Sequence, residues 1–192
     1  MARIVATFFI SLDGVVERPD QWHFPYFTEQ MGEVIGAGMQ TRGAYLMGRR
    51  LYDEWAAHWT AHPDDDEFGP FITPLRKYVL SSHPLDTDWE NSHLVTGDDA
   101  EVAAQVARIK EETEGDIGMS GCATTVRWLL AHGLLDELEL LVHPLAVGTG
   151  QRLFEDTGQV PLELIGSTVL DSGVLHLRYA PAPAPAPSPA GS

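Results

Sequence analysis

The sequence predicts an α/β protein built on a mixed sheet with helices on both faces. Apolar runs of strand length alternate with helix-length segments as far as His143, the pattern of βα units that build parallel strands. Most of these runs end on Gly, Ser or Asp just before a helix signal. The final two apolar segments face each other across Asp171-Ser172-Gly173 instead, as an antiparallel pair does.

Ile4 to Ile10 is a continuous apolar run, suited to a strand buried on both faces. A helical segment covers Phe27 to Gln40, and a short strand, Ala44 to Met47, ends at Gly48, where Arg49 opens the next helix. Tyr78-Val79-Leu80 runs into Ser81-Ser82, and His93-Leu94-Val95 runs into Gly97-Asp98. Asp98 caps the following helix with Glu101 as its capping-box partner, and Val102, Val106 and Ile109 form its apolar stripe. Asp116 to Met119 is a strand, followed by a turn at Gly121 and a helix bearing Val126, Leu129 and Leu130. Gly133 stops that helix at the position glycine favours. Leu138 to His143 is a further strand, and the chain closes with Leu162 to Leu170 and Val174 to Tyr179. In the last of these, Leu175, Leu177 and Tyr179 alternate with His176 and Arg178.

The 192 residues suit one domain, assigned to residues 1–180, which is long enough to bury roughly 70% of its unfolded surface. Residues 181–192, PAPAPAPSPAGS, form a low-complexity tail with no face to pack. His62 to Glu67 is a charged surface loop. No run approaches the roughly 18 apolar residues of a membrane span, and the N-terminus lacks the features of a signal peptide. Twelve basic against twenty-eight acidic residues leave a charge of −16, which repels nucleic acid and anionic membranes. The single cysteine, Cys122, excludes an intrachain disulfide and fits a reducing cytoplasm.

In an open α/β sheet, ligands lie beyond the carboxyl ends of the strands, where helix N-termini present free N–H groups. Gly48-Arg49-Arg50, Ser81-Ser82, Gly97-Asp98 and Ser120 to Thr125 stand at such ends. Adjacent arginines in so acidic a chain point to phosphate, although a solvated first turn accounts for them as well. No metal site is expected. His58 and His62 have helical spacing but lack the glutamate of a zinc-protease motif.

Leu46-Met47-Gly48-Arg49-Arg50-Leu51-Tyr52, Lys77 to Ser82 and Gly121-Cys122-Ala123-Thr124 resemble, in order and spacing, motifs of the dihydrofolate reductase superfamily. Ser11 to Gly14, Asp136 through His143-Pro144, and Gly148 to Phe154 narrow the likeness. The chain resembles, as a stand-alone domain, the reductase half of the bifunctional riboflavin-biosynthesis deaminase/reductase. The resemblance implies a dihydrofolate reductase-like fold, NADPH as cofactor, a small-molecule substrate and a homodimer. It implies that Gly48, Arg49 and Arg50 bind cofactor phosphates, with Ser81 and Ser82 beside the adenosine 2′-phosphate. It further implies that Gly121, Cys122, Ala123, Thr124 and Thr125 cradle the pyrophosphate, with Gly97 at a neighbouring strand end. Phe9 to Gly14 would border the nicotinamide, with Asp13 as the candidate catalytic acid and Leu12, Trp22 and Phe27 on the substrate side.

Two departures stand out. The superfamily has two glycines where this chain has Gly121-Cys122, and in dihydrofolate reductases that bond is cis, a form that costs about 2.5–4 kcal/mol before a non-proline residue. Trp22 to Phe27 is similar to a segment that ends in the pterin-binding acid; Phe27 stands there instead, which points away from folate reduction. The leading expectation is an NADPH-dependent reductase of a small heterocycle or ribosylated pyrimidine, resembling 5-amino-6-(5-phosphoribosylamino)uracil reductases. A non-catalytic NADPH or small-molecule binder, and a dihydrofolate reductase-like protein of another specificity, stay open beside it.

Overall fold

A computed structural model describes residues 1–63 and 68–183. Residues 64–67 of the charged loop and 184–192 of the tail lie outside the described residues. The strands are β1 (Ile4–Ser11), β2 (Arg42–Gly48), β3 (Arg76–Leu80), β4 (Ser92–Val95), β5 (Asp116–Ser120), β6 (Glu137–His143), β7 (Leu162–Val169) and β8 (Leu175–Pro181). The helices are α1 (Glu29–Thr41), α2 (Arg49–Trp59), α3 (Phe68–Ile72), α4 (Asp99–Glu112) and α5 (Ala123–Ala131). One eight-stranded sheet has the order β4-β3-β2-β5-β1-β6-β8-β7. Strands β1 to β6 run parallel, and β8 lies antiparallel to both β6 and β7.

The apolar run predicted for β1 occupies the middle of the sheet, paired with β5 on one side and β6 on the other. Its Ile4, Ala6, Phe8 and Ile10 face the core that Val106 and Ile109 of α4 and Val126 and Leu129 of α5 complete. On the opposite face Tyr45, Met47 and Val79 meet Tyr52, Ala56 and Trp59 of α2 and Ile72 of α3, while Met31 of α1 packs with Leu141. Each large apolar side chain so buried adds roughly 1.5–3 kcal/mol. Helices therefore cover both faces, as the sequence predicts.

The predicted helix signals also form. Asp98 accepts from Glu101 N at 2.9 Å while Glu101 Oε2 accepts from Asp98 N at 2.9 Å. Gly133, at φ +64°, follows α5, and Leu134 N reaches back to Leu129 O at 2.9 Å. Helix α3 has no sequence signal, being five residues that include Gly69 and Pro70. The buried Lys77 explains its position: Nζ donates to the carbonyls of Ile72, Thr73 and Leu75 at 3.1, 2.8 and 2.8 Å. The same ammonium lies 4.4 Å from the Trp89 ring centroid. Burial pushes it down to about 8, yet the three carbonyls give each of its protons an acceptor.

Strand β2 bulges between Arg42 and Ala44, and at Gly43 a Cβ would stand 1.7 Å from the Glu114 carbonyl oxygen. Gly36 in α1 has nothing within 4 Å of the same position. Gly43→Ala is therefore expected to destabilise by about 1–3 kcal/mol. Gly36→Ala is expected to stabilise by roughly 0.5–1 kcal/mol, because it removes backbone freedom from the unfolded chain without a clash. Urea midpoints at unchanged slope measure both, and midpoints moving in the same direction contradict this account.

Candidate active site

Because β1, β2, β3 and β5 run parallel, their carboxyl ends and the starts of α2 and α5 share one edge of the sheet. Cys122 joins the two helix starts there. As N-cap of α5 it extends Sγ toward α2, where it accepts from Gly48 N at 3.2 Å. Burial pushes the thiol up to about 11, with the bonds from Gly48 and Leu51 opposing, which disfavours the thiolate. The Gly121–Cys122 peptide is trans. Gly48 is a close approach: a Cβ there would meet Thr125 Oγ1 at 2.9 Å and Cys122 Sγ at 3.4 Å.

Helix α5 is left with a more open N-terminus. The N–H groups of Ala123, Thr124 and Thr125 donate to no protein acceptor among the described residues, the condition in which a helix start attracts an anion. Beside them is a cavity of about 350 Å³ whose walls include Gly97, Val102, Thr124, Thr125 and Trp128 together with the acidic residues Asp98 and Asp99. Three of the predicted cofactor residues, Gly97, Thr124 and Thr125, converge on it. The Ala123 side chain is instead fully buried in the core, which leaves its backbone N–H as the group available there. Trp128, which carries no sequence signal of its own, is fixed by Asp99: its Nε1 donates to Oδ1 at 2.7 Å, and Oδ2 meets His132 Nε2 at 2.9 Å.

Arg49 does reach the Ser81 loop, donating to the carbonyls of His83 at 3.5 Å and Pro84 at 2.5 Å. Ser81 Oγ closes that loop on His83, and Ser82 Oγ contacts the His83 ring. Arg49 is also held by Asp53 at 2.8 Å and Asp86 at 2.5 Å. Arg50 points elsewhere, to Glu54 at 3.1 Å and Glu17 at 3.4 Å. The two adjacent arginines thus diverge, and only Arg49 joins Ser81.

Asp13 has a different task from the one its sequence position suggests. Its Oδ1 accepts from Ser11 Oγ at 2.6 Å and Val147 N at 3.0 Å, and its Oδ2 accepts from Gly148 N at 2.8 Å. Arg152 adds a bond to the Asp13 carbonyl at 2.9 Å. The Ser11 hydroxyl first, then the Val147 and Gly148 amides, hold the carboxyl down at about 2. Near neutrality it has no proton to give. Through these bonds Asp13 ties the loop after β6 to the end of β1 as a clasp. Glu17 extends the clasp by accepting from Gln151 N at 3.0 Å.

On the α1 face, next to the end of β1, Trp22 and Phe27 meet around two histidines that sequence reasoning passed over. His23 stacks on Phe9 at 4.4 Å and lies edge-on to Phe27 at 6.0 Å. Trp22 and Tyr26 meet the buried His143 edge-on at 5.2 and 5.7 Å. His143 Nδ1 bonds the Leu141 carbonyl at 2.8 Å, so Nδ1 carries the proton and Nε2 is left as an acceptor. Among the described residues, His143 Nε2 and His23 Nδ1 are buried without a hydrogen-bond partner. Burial pushes both imidazoles below the usual histidine range, and the charge of His143 adds to this at His23. Both residues lie within motifs already singled out, Trp22 to Phe27 and His143-Pro144, which was the available signal. Leu12, in contrast, stands 66% exposed and joins none of the apolar clusters among the described residues.

The same sheet face carries a polar floor assembled from distant strands. Glu139 accepts from Thr7 Oγ1 at 2.8 Å and pairs with His176 Nε2 at 2.6 Å and Arg42 at 3.9 Å. Burial opposes the Glu139 carboxylate, but His176, Thr7 and Arg42 together hold it below the usual range. Tyr45 and Ser120 share a hydrogen bond nearby, and burial pushes the phenol up to about 12.

A mixed sheet of this order, with aromatic rings packed at the end of β1 on one face and an open helix start at the strand ends, is a dihydrofolate reductase-like fold. The chain belongs to the RibD C-terminal domain family, matched over residues 2–176. A Bacillus subtilis (strain 168) protein, the uncharacterized YyaP, is 26% identical, with 92% of this chain and 94% of that protein covered. A riboflavin-biosynthesis candidate protein from Shewanella sp. PV-4 superposes with a TM-score of 0.72 at 20% identity, covering 95% of this chain and all of that one. Dihydrofolate reductase from Enterococcus faecalis, solved with NADP(H) and RAB-propyl, gives 0.59 at 16% identity over 93% and 96%.

Two outcomes are expected. A carboxylate more acidic in the folded than in the unfolded chain stabilises the fold above its unfolded pKa, and loses that contribution as the pH falls through the folded value. The Val147 and Gly148 amides are therefore expected to lose hydrogen-exchange protection between pH 3.8 and about 2. Asp13→Asn should expose at least one of them at neutral pH, since the NH2 that replaces one acceptor oxygen cannot accept from an amide. Protection unchanged in the variant would sink the clasp. For Cys122, the rise from 9.0 to about 11 lowers the thiolate fraction at pH 8 about a hundredfold. Iodoacetamide should modify the native protein slower than a free thiol by at least that factor, and equal rates would contradict its burial.

Proposed function

We propose that the chain is an NADPH-dependent reductase of a small heterocyclic or ribosylated pyrimidine substrate, of the riboflavin-biosynthesis type. The observation that carries this reading is the cavity at the start of α5, where Gly97, Thr124 and Thr125 surround unpartnered N–H groups. The residues fit a dinucleotide. Gly48 keeps open a cradle that a Cβ would fill, and Trp128 supplies an indole wall suited to a flat base. Membership of the RibD C-terminal domain family supports the same reading.

A bound reduced nicotinamide supplies hydride, and the protein contributes position and surroundings. The α5 N–H groups and the Thr124 and Thr125 hydroxyls hold the pyrophosphate. Arg49, with the Ser81 loop, receives the 2′-phosphate, which has to compete with Asp53 and Asp86 for the guanidinium. Trp22, Phe9, Tyr26 and Phe27 exclude water on the substrate side. His23 Nδ1 and His143 Nε2 are the ring atoms free to exchange a proton there, the task Asp13 cannot perform. The polar floor around Glu139 provides hydrogen-bonding partners for a polar heterocycle.

One observation favours the non-catalytic reading: the Cys122 thiol occupies the amides at the start of α2, which narrows the phosphate cradle. Thermal unfolding with NADPH, NADH and neither separates the two. A ligand at a hundred times its Kd adds about 2.7 kcal/mol, so NADPH is expected to raise Tm with concentration and NADH less so. Arg49→Gln should weaken NADPH about tenfold with little change for NADH. Asp86→Asn should strengthen NADPH several-fold by freeing the guanidinium. No shift with either cofactor would overturn the proposal, whereas a shift without NADPH oxidation across pyrimidine substrates would leave a binding protein.

A further inference from the structure

The opposite end of α4 carries a second cavity, of about 230 Å³, between that helix and the edge of the sheet. Tyr78 and His93 form its floor, Gln105 and Ile109 one wall, and Arg76 and Arg108 the remaining charged lining. It shares no lining residue with the nucleotide cavity. The structural reason it exists is the short edge strand. β4 has four residues, and the Tyr78 and His93 rings, 5.7 Å apart and tilted, leave a shelf that α4 overhangs.

The charges are distinctive in a chain this acidic. With twenty-eight carboxylates for twelve basic side chains, an arginine readily finds an anionic partner. Arg3, Arg42, Arg49, Arg50, Arg127, Arg152 and Arg178 all have one within 4 Å. Arg76 and Arg108 have none among the described residues, although both are exposed and free to seek one. Arg76 donates to Tyr78 Oη at 3.4 Å, and Arg108 makes no hydrogen bond among the described residues. Glu112, at the end of α4, is a carboxylate whose field reaches Arg76 without an ion pair. Two of the three arginines without a carboxylate therefore border one cavity; the third, Arg18, lies on a distant loop.

We propose that this cavity binds a small organic anion, with its carboxylate or phosphate head held by Arg76 and Arg108 and a planar body resting on Tyr78 and His93. Paired guanidinium groups match the geometry of such heads, and the Tyr78, His93 and Ile109 surfaces match a flat apolar body. The volume lies below the roughly 300–1,000 Å³ of sites for drug-sized ligands, so an anion of benzoate size fits and a dinucleotide does not. The site is independent of the proposed reductase activity.

Isothermal titration of the full chain at low salt with benzoate, phenyl phosphate and inorganic phosphate tests this. Saturable one-site binding is expected for benzoate, phenyl phosphate or both, and the tighter of the two identifies the head group. Inorganic phosphate, having no body to rest on the rings, should bind more weakly than phenyl phosphate. Arg108→Gln and Arg76→Gln, both at exposed positions, should each weaken the better ligand about tenfold, equivalent to ~1.4 kcal/mol. Arg18→Gln removes the same charge far from the cavity and should leave the affinity unchanged. The proposal fails if no arylated anion binds saturably. It fails equally if Arg18→Gln weakens binding as much as Arg108→Gln, which would reduce the effect to net charge, or if the two cavity variants bind like the wild type.

Discussion

Everything in this fold hangs on the double pairing of β1. A strand with parallel neighbours on both sides and helices on both faces can slip by one residue only by exchanging its two sets of side chains. Charge pins its amino end. Arg3 bonds Asp116 of β5 at 2.6 Å and Glu137 of β6 at 3.0 Å, while Arg178 of β8 takes the second Glu137 oxygen at 2.5 Å. The Arg3 side chain is 51% exposed, but its two carboxylate partners are largely buried. As a surface ion pair Arg3 would count for little; its weight here comes from two largely buried carboxylates, which without it keep, among the described residues, only Arg42 at 3.5 Å on Asp116 and Arg178 at 2.5 Å on Glu137. The carboxyl end is pinned differently, by Asp13 accepting backbone amides. The strand is thus held by carboxylates at both ends, opposite a guanidinium at one and amides at the other.

That rigid middle has two unlike surroundings: on the α5 side a helix start with free N–H groups, and on the α1 side a set of aromatic rings around buried imidazoles. Between them Cys122 replaces a second glycine and uses its side chain to connect α2 to α5. A glycine would leave the Gly48 amide without the Sγ acceptor it has here. The arginines are dispersed as well. Arg49 is shared between two carboxylates and a loop, and Arg50 serves a surface cluster, so a phosphate must displace existing partners to gain either.

The elements readable from the sequence were those whose signal is local. The apolar run of β1, the capping box at Asp98 and Glu101, and Gly133 after α5 each depend on neighbours within four residues. Helix α3 was invisible because Lys77, which satisfies its carbonyls, belongs to the next strand. The same reason divides the candidate site. Glycines and hydroxyl residues at strand ends could be found in order along the chain, whereas the Thr7–Glu139–His176–Arg42 floor joins four strands. Asp13 shows the reverse error. Its position beside β1 was legible, but its surroundings depend on amides at Val147 and Gly148, far along the chain, and those bonds keep the carboxyl anionic down to about pH 2.

The Asp13 and Glu17 clasp also makes the surroundings of the β1 end lopsided. The β1 loop and residues 147–152 are fastened to each other by side-chain acceptors on backbone amides. The segment from Arg18 to Thr28 has two short 3-10 turns without side-chain caps and is secured by ring packing, with Trp22 Nε1 donating to the Glu17 carbonyl at 3.2 Å and Thr28 Oγ1 to Asp171 at 2.8 Å. One side of the strand end is thus fixed by carboxylates on amides and the other by ring contacts.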